Sequence, residues 1–463
     1  MKALNLCVEH HFVQRHALQL KSLSILYQDK PKRLTRHCSS QRQIFTEDRE
    51  AYFASCHPGL EEVLFMELKK IGAQDIHTGK AGVHFSGDQK IMYDANLWLR
   101  TAIRVLKLVH EVKLDANVEA GKSIYNAVKD AVYWPSLLFS DHMSFSIESR
   151  IWGNSNFSNS QLLNVRAKDA ICDLLREKTG SKPDPPRPGQ VANVPIFGTC
   201  FQDKLSIYLD CSGSSLHKRG FKSKTIHKAS LNEAAAAGCL YLSGWPEMVQ
   251  RATDREVVVL CDPMCGSGTF LTEAALMAGN IAPGLYRKFW PFLSWPNSVI
   301  DKNLWKERVQ AAKDQRSSQK PKIELWGNDE HEGALSLAME NVRSAGVQSV
   351  VRLRRGDCSS WTLPRTPDVV VTNPPWGKRL EDRGGSSSGR KDDFFETGSI
   401  SGSWSKLGTF LKREAQGSDA YVLSGSAYLT KDLKLRAEGK HPLVIGGIDT
   451  RFLHYRIHKS KIT

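Results

Sequence analysis

Leu260-Cys261-Asp262-Pro263-Met264-Cys265-Gly266-Ser267-Gly268-Thr269-Phe270 is the stretch from which the rest of the chain is best read. Val257-Val258-Val259 precedes it, an apolar run rich in β-branched residues, and Leu271 to Ala278 follows with helix-forming composition. The expected layout is a buried strand, a glycine turn and a helix. Gly266 and Gly268 carry no Cβ, so a ligand can approach the backbone. In an open α/β sheet that ligand sits at the carboxyl ends of the strands. No Gly-Lys-Ser/Thr follows, which argues against a nucleoside triphosphate loop, and the dinucleotide spacing fails because position 271 is Leu.

A second β-branched run, Val369-Val370-Val371-Thr372, ends in Asn373-Pro374-Pro375-Trp376-Gly377. The polar-Pro-Pro-aromatic tetrapeptide suits one difficulty. An exocyclic amine is a poor nucleophile because its lone pair is delocalised into the ring. Acceptors for its hydrogens can turn that pair toward an electrophile. Asn373 offers a side-chain oxygen and Pro374 a backbone carbonyl, while two prolines fix φ on either side. Trp376 offers a flat face for a base, worth ~1–3 kcal/mol in comparable stacks. Together the two segments resemble the S-adenosylmethionine-dependent methyltransferases that modify exocyclic amino groups of nucleobases.

That resemblance implies roles for other residues. Asp262, Pro263, Cys265, Gly266, Gly268 and Thr269 would line the cofactor, with Asp262 at its methionine end. Ile323 to Asp329 reads as the next strand, ending in an acid that can accept ribose hydroxyls, with Glu330 as the alternative. Val350 to Asp357 reads as another, whose Asp357 would accept from the adenine amine. Cofactor binding is expected to depend on Gly268 and Asp329. No metal is required, because orientation supplies much of the rate.

A chain of 463 residues is too long for one ordinary domain. Its net charge of +15 suits a polyanionic partner, since Lys and Arg gain affinity by releasing phosphate counterions. No apolar run is long enough to span a membrane. The ten cysteines include no Cys-x-x-Cys, so neither a zinc site nor a disulfide framework is expected, and a reducing compartment fits. Residues 1–46 carry eight Lys/Arg against two acids, which suits an organellar transit peptide of chloroplast or mitochondrion, or a basic arm touching RNA.

From Ala51 the chain becomes globular. Tyr52–Ala54, Gly82–Ser86, Val105–Val112, His142–Glu148 and Leu205–Leu209 read as strands. Helices are expected over Pro58–Leu68, Tyr93–Arg104, Ile124–Ala131, Ser160–Arg176, Ser230–Leu242 and Gly333–Ala345. Phe53-Ala54-Ser55-Cys56-His57-Pro58-Gly59-Leu60-Glu61-Glu62, Gly82-Val83-His84-Phe85 and Leu216-His217-Lys218-Arg219-Gly220-Phe221 resemble the THUMP-containing methyltransferases, in particular the bacterial large-subunit rRNA guanine-N2 methyltransferases of RlmL type.

The implied fold is an α/β, Rossmann-like class I methyltransferase domain over residues 216–463. It is preceded by a ferredoxin-like subdomain at 51–110 and a THUMP RNA-binding domain at 111–215, with residues 1–50 as an arm. The resembled proteins often carry a second methyltransferase domain behind; with an end at Thr463, none is expected here. Lys218, Arg219, Lys222 and Lys224 form an acid-free run that reads as a phosphate-gripping joint. Glu381–Ser403, rich in Gly, Ser and charge, reads as a loop beside the active site.

The implied reaction is guanine-N2 methylation of large-subunit rRNA or a pre-ribosomal particle by a monomer with S-adenosylmethionine. The alternatives are tRNA guanine-N2 methylation, adenine-N6 methylation of DNA, which the RNA module disfavours, and a non-catalytic RNA-binding assembly factor.

Overall fold

The computed structural model describes residues 49–459 apart from 116, 132–133, 139–142, 154–158, 184, 188, 223–229, 253–256, 317–321 and 377–396. The N-terminal arm, Lys224 and most of the Gly/Ser-rich segment therefore lie outside the described residues. No helix among the described residues is long and apolar enough to cross a membrane.

Two seven-stranded sheets organise the described residues. The first contains β1 (Glu50–Cys56), β2 (Gln74–Gly79), β3 (Gly82–Gly87), β4 (Ala102–Lys113), β5 (Phe145–Trp152), β6 (Val194–Phe201) and β7 (Lys204–Asp210), in the order β2-β3-β1-β4-β7-β6-β5. The long β4 pairs with β1 on one side and β7 on the other, so the ferredoxin-like half and the half behind it share one sheet. Helices Glu61–Lys70 and Gln89–Trp98 belong to the first half, Ala120–Asp130 and Ser160–Thr179 to the second. β2 and β6 had no counterpart in the sequence reading. The expected helix over Tyr93–Arg104 ends at Trp98, because the Arg100 and Thr101 amides bond the buried Glu67 carboxylate instead, at 2.8 and 3.0 Å.

The second sheet contains β8 (Val258–Asp262), β9 (Ile323–Asp329), β10 (Val351–Arg355), β11 (Val369–Thr372), β12 (Asp419–Ser424), β13 (Gly439–Ile445) and β14 (Ile448–Arg456), in the order β10-β9-β8-β11-β12-β14-β13. β10 through β12 run parallel and β14 lies antiparallel to β12. All residues of β8 and β11 are buried, as befits parallel strands covered on both faces. The chain leaves β8 toward β9 and β10 and returns at β11. The switch point, where such sheets bind ligands, is the crevice between the ends of β8 and β11.

The two sheets meet through a buried joint. Arg219, itself 1% exposed, pairs with the fully buried Glu273 at 3.1 Å and donates to the Arg100 carbonyl at 2.6 Å. Arg100 donates to the Ile281 carbonyl at 2.9 Å. Arg287 donates to the carbonyls of Ser212, Ser214 and Ser215 at 2.8, 2.9 and 2.9 Å, and so holds the connecting strap between the sheets. Arg308 grips Asp94 with two bonds of 2.8 and 2.9 Å. A Cβ on Gly238 would collide with Leu60, so helix Glu233–Leu242 lies directly against the ferredoxin-like half.

This joint corrects the reading of the basic run. Arg219 is locked in the core and cannot reach a phosphate. Lys222 pairs with Glu233 at 3.1 Å and donates to Ser230 Oγ and the Leu231 carbonyl at 3.0 and 3.2 Å. Lys218 is exposed, as a surface contact requires. A second correction concerns the expected loop over Glu381–Ser403. Its end is helical, because helix Thr397–Glu414 starts there. Trp404, Leu407, Phe410 and Leu411 recur at helical spacing on its buried face.

Candidate active site

The turn after β8 is built by backbone geometry. Gly266 sits at φ +53° and Gly268 at φ +72°, a region costly for other residues. They differ in what surrounds them. A Cβ on Gly266 would meet nothing within 4 Å, which leaves open space at the turn. A Cβ on Gly268 would stand 3.1 Å from Ala338 on helix Glu332–Ser344. Gly268 is therefore needed for helix packing, and Gly266 is the residue that leaves room for a ligand.

Asp329, at the end of β9, fastens the turn. Its Oδ2 accepts from the Gly266 amide at 2.8 Å and its Oδ1 from the His331 amide at 2.9 Å. Asn328 beside it donates to the carbonyls of Pro263 and Gly356 at 3.1 and 2.8 Å, which ties the ends of β8, β9 and β10 together. The Cys265 amide donates to the Asn328 carbonyl at 2.9 Å. Thr269 is buried, near Ser267 and the Leu231 carbonyl at 3.4 and 3.5 Å. These residues fit S-adenosylmethionine: an open cradle at Gly266, with a carboxylate beside it.

Asp357 is placed differently from a free acceptor. Its Oδ1 takes the Ser359 amide and hydroxyl at 2.8 and 2.7 Å, and its Oδ2 pairs with Lys406 at 2.9 Å. Burial works against its charge, but Lys406 and Ser359 hold the carboxyl below its ordinary range. Lys406 also reaches Glu330 at 3.4 Å. The sequence reading missed Lys406 and Asn328; a Lys in an amphipathic helix gives no sign of its partner.

Asp262 links the turn to the tetrapeptide. Its carboxylate is buried, accepting from Thr372 Oγ1 at 2.7 Å and the Met264 amide at 3.3 Å. The Thr372 contact sets the two strand ends side by side, and Asn373 comes next in the chain. Asn373 Oδ1 accepts from Trp376 Nε1 at 2.8 Å, so the indole fixes the direction of the amide. The Pro375 carbonyl accepts from the buried Trp404 Nε1 at 2.9 Å. The Pro375 carbonyl thus anchors the turn, and of the two proline carbonyls only Pro374's was assigned to the amine. Trp376 lies so close on Gly425, just past β12, that a Cβ there would collide with its ring. The expected stacking ring thus also serves as packing and as the clamp on Asn373.

Burial pushes the Asp262 carboxyl up to about 7, with Thr372 and Met264 pulling the other way and Asp329 adding to the rise. Between about pH 4 and about pH 7 the folded chain then keeps a proton that the unfolded chain has released. This residue's contribution to stability therefore falls as pH rises through that window. Urea midpoints at both ends of the window should differ less in Asp262→Asn than in the wild type. An unchanged difference would place the titration elsewhere.

A calorimetric test separates the two glycines. Gly266→Val should weaken S-adenosylmethionine binding at least ~10-fold, because the side chain enters the open cradle. Gly268→Val should chiefly lower the melting temperature. Asp329→Ala should weaken binding by removing a charge-assisted acceptor. Wild-type affinity in both Gly266→Val and Asp329→Ala would move the cofactor elsewhere.

Among the described residues no group of three or more His, Cys, Asp or Glu is arranged to hold a metal ion. Cys261 and Cys265 are buried free thiols.

Comparison with known proteins accords with this geometry. Residues 219–388 match the family described as RMKL-like, methyltransferase domain, and residues 51–106 match the RlmL ferredoxin-like domain. The chain is 33% identical over 419 residues to the ribosomal RNA large subunit methyltransferase K/L of Cellvibrio japonicus (strain Ueda107), covering 88% of this chain and 51% of that protein. It thus spans about half the length of the curated relatives it matches. A possible methylase from Clostridium difficile 630 shares 25% identity at a TM-score of 0.71, over 90% of this chain and all of that one. SMU.472, solved in complex with SAH, shares the fold at a TM-score of 0.72 and 22% identity, over 90% of this chain and all of that one. Through these two domains the chain is similar to the RlmL-like S-adenosylmethionine-dependent methyltransferases, and its fold is a Rossmann-like class I domain behind a ferredoxin-like one.

Proposed function

We propose that the chain methylates the exocyclic N2 amine of a guanine in large-subunit rRNA. The observation that carries this reading is the Thr372–Asp262 bond, which sets Asn373-Pro374-Pro375-Trp376 beside the open glycine turn. The relatives' own description as ribosomal RNA large subunit methyltransferases supports the substrate class. Bound at the turn, S-adenosylmethionine would supply an electrophilic methyl group.

The protein's part is orientation. Asn373 Oδ1 has a lone pair beyond the one that Trp376 uses, and accepts a hydrogen of the target amine. The Pro374 carbonyl takes the other. The amine lone pair then leaves the ring plane and faces the methyl group. No strong base is needed before the bond forms, since the product ammonium is acidic and loses its proton readily.

Residues 111–215, with strands β5 to β7 and helices Ala120–Asp130 and Ser160–Thr179, are read as the THUMP RNA-binding domain. The Arg-rich N-terminus is read as an organellar address, which a fluorescent fusion of residues 1–50 would reveal by its destination. Mass-spectrometric mapping of rRNA and tRNA from a knockout tests the main assignment. The expected result is loss of one N2-methylguanine from large-subunit rRNA. Loss from tRNA alone would transfer the activity to tRNA, and an unchanged map would refute both.

A further inference from the structure

Beyond β12 the chain makes a turn pinned from several sides. Ser424 Oγ donates to the Ser426 carbonyl at 2.8 Å, and Thr430 Oγ1 to the Ala427 carbonyl at 2.8 Å. In the 3-10 turn Leu429–Leu433, both end leucines are buried. Gly408 on helix Thr397–Glu414 lies so near the Leu433 carbonyl backbone that a Cβ would not fit. Ser401 Oγ on the same helix donates to Asp432 at 2.8 Å.

From this braced turn Tyr428 stands 73% exposed, more than any other large apolar or aromatic side chain among the described residues. A ring held out by a built turn gives up the gain of burial. Lys431 Nζ lies 5.9 Å from its centroid, and Lys434, Arg436 and Lys440 are also exposed. Two acids lie among these cations: Asp432 is already bonded to Ser401, and Glu438 lies 3.6 Å from His458.

The position of this patch gives it meaning. β12 runs parallel to β11 with Thr372 opposite Val422, so both strands deliver their following turns to the same end of the sheet. Trp376 rests on Gly425, and three residues of chain carry Tyr428 at most ~11 Å from that glycine. An exposed aromatic with Lys431 beside it therefore lies near the tetrapeptide. Stacking faces interleaved with cations are how proteins hold single-stranded nucleic acid. The basic run at 218–224, by contrast, uses Arg219 and Lys222 inside the joint.

We propose that Tyr428 stacks on a nucleobase neighbouring the target in a single-stranded stretch of substrate RNA, while Lys431 and Lys434 hold the adjoining phosphates. This rests on the reading of the chain as an RNA methyltransferase, and it adds a substrate-positioning surface to that site. It also implies that the target is presented in an unpaired segment, since a base paired in a duplex offers no free face to Tyr428.

The test uses the full chain, S-adenosylmethionine and an unmodified large-subunit rRNA transcript, with binding of a short fluorescent oligouridylate measured separately. Tyr428→Ala should raise the KM for the transcript at least ~10-fold and weaken oligouridylate binding to a similar extent. Tyr428→Phe should behave like wild type, because the ring is retained. Lys431→Gln with Lys434→Gln should reduce the log–log salt slope by about 0.7 for each phosphate no longer neutralised. Cofactor affinity and melting temperature should not move in any of these variants. If the wild type methylates and Tyr428→Ala keeps both KM and oligonucleotide binding, the stacking surface is refuted. If the wild type binds the cofactor but methylates no RNA, while Tyr428→Ala still weakens oligouridylate binding, the surface stands and the reaction assignment falls. A wild type that neither binds nor methylates RNA overturns both.

Discussion

Asn373→Ala is expected to lower single-turnover methylation at saturating cofactor at least ~100-fold, the scale on which removing one preorganised hydrogen bond to a transition state slows a reaction. The backbone and both prolines remain, and cofactor affinity should stay near wild type because Asn373 is assigned to the base. The structure adds a control. Trp376 Nε1 donates to Asn373 Oδ1, so the alanine variant also leaves a partly buried indole N–H without its acceptor. Trp376→Phe removes that donor and keeps a ring. If Asn373 acts on the amine, Trp376→Phe should cost far less rate than Asn373→Ala. Single-turnover assays are required so that product release does not mask the chemical step. Near-normal turnover in Asn373→Ala would mean that the tetrapeptide is not the catalytic centre.

The second large effect is on stability. Arg219→Met leaves the fully buried Glu273 carboxyl without its cation, which should cost about 3–5 kcal/mol in urea unfolding. Replacing both partners, Arg219→Met with Glu273→Leu, should recover much of that loss, because no charge is left stranded. The salt dependence of RNA binding should not change in the double variant. A phosphate-contacting Arg219 would give the opposite pattern: a flatter salt slope with little loss of stability. The two assignments thus differ in both measurements.

Strands β8 and β11 can be read from sequence because each is a β-branched-rich run whose residues are all buried. The glycine turn and the tetrapeptide are legible for the same reason: their chemistry is local. What tertiary packing decides is not legible. Gln74–Gly79 is mostly exposed and pairs only at the sheet edge through a register shift, so nothing in its pattern separates it from a loop. Arg219 and Lys222 sit in a run of cations that reads as surface, and their partners Glu273 and Glu233 lie on helices elsewhere in the chain. Gly266 and Gly268 look equivalent as letters. Only Ala338, brought alongside by a later helix, shows that one packs and the other leaves space. Asp357 likewise reads as a free strand-end acid until helix Thr397–Glu414 brings Lys406 to it.

The arginines between the two sheets set a length. Arg100 and Arg219 are buried and bonded to carbonyls and a carboxylate, and the half-buried Arg287 bonds three carbonyls of the strap, so any hinge between the sheets would break these bonds and strand buried cations. Were the first sheet to hold RNA, as proposed, that RNA would meet the crevice at one separation, as a mark is read against a ruler. On the proposed function the protein does not swing to find its nucleotide; the RNA would have to fold so that the right base falls at that distance. Selection of the site is then a matter of the substrate's shape as much as of its sequence, and loosening Arg219 is where that calibration would first blur.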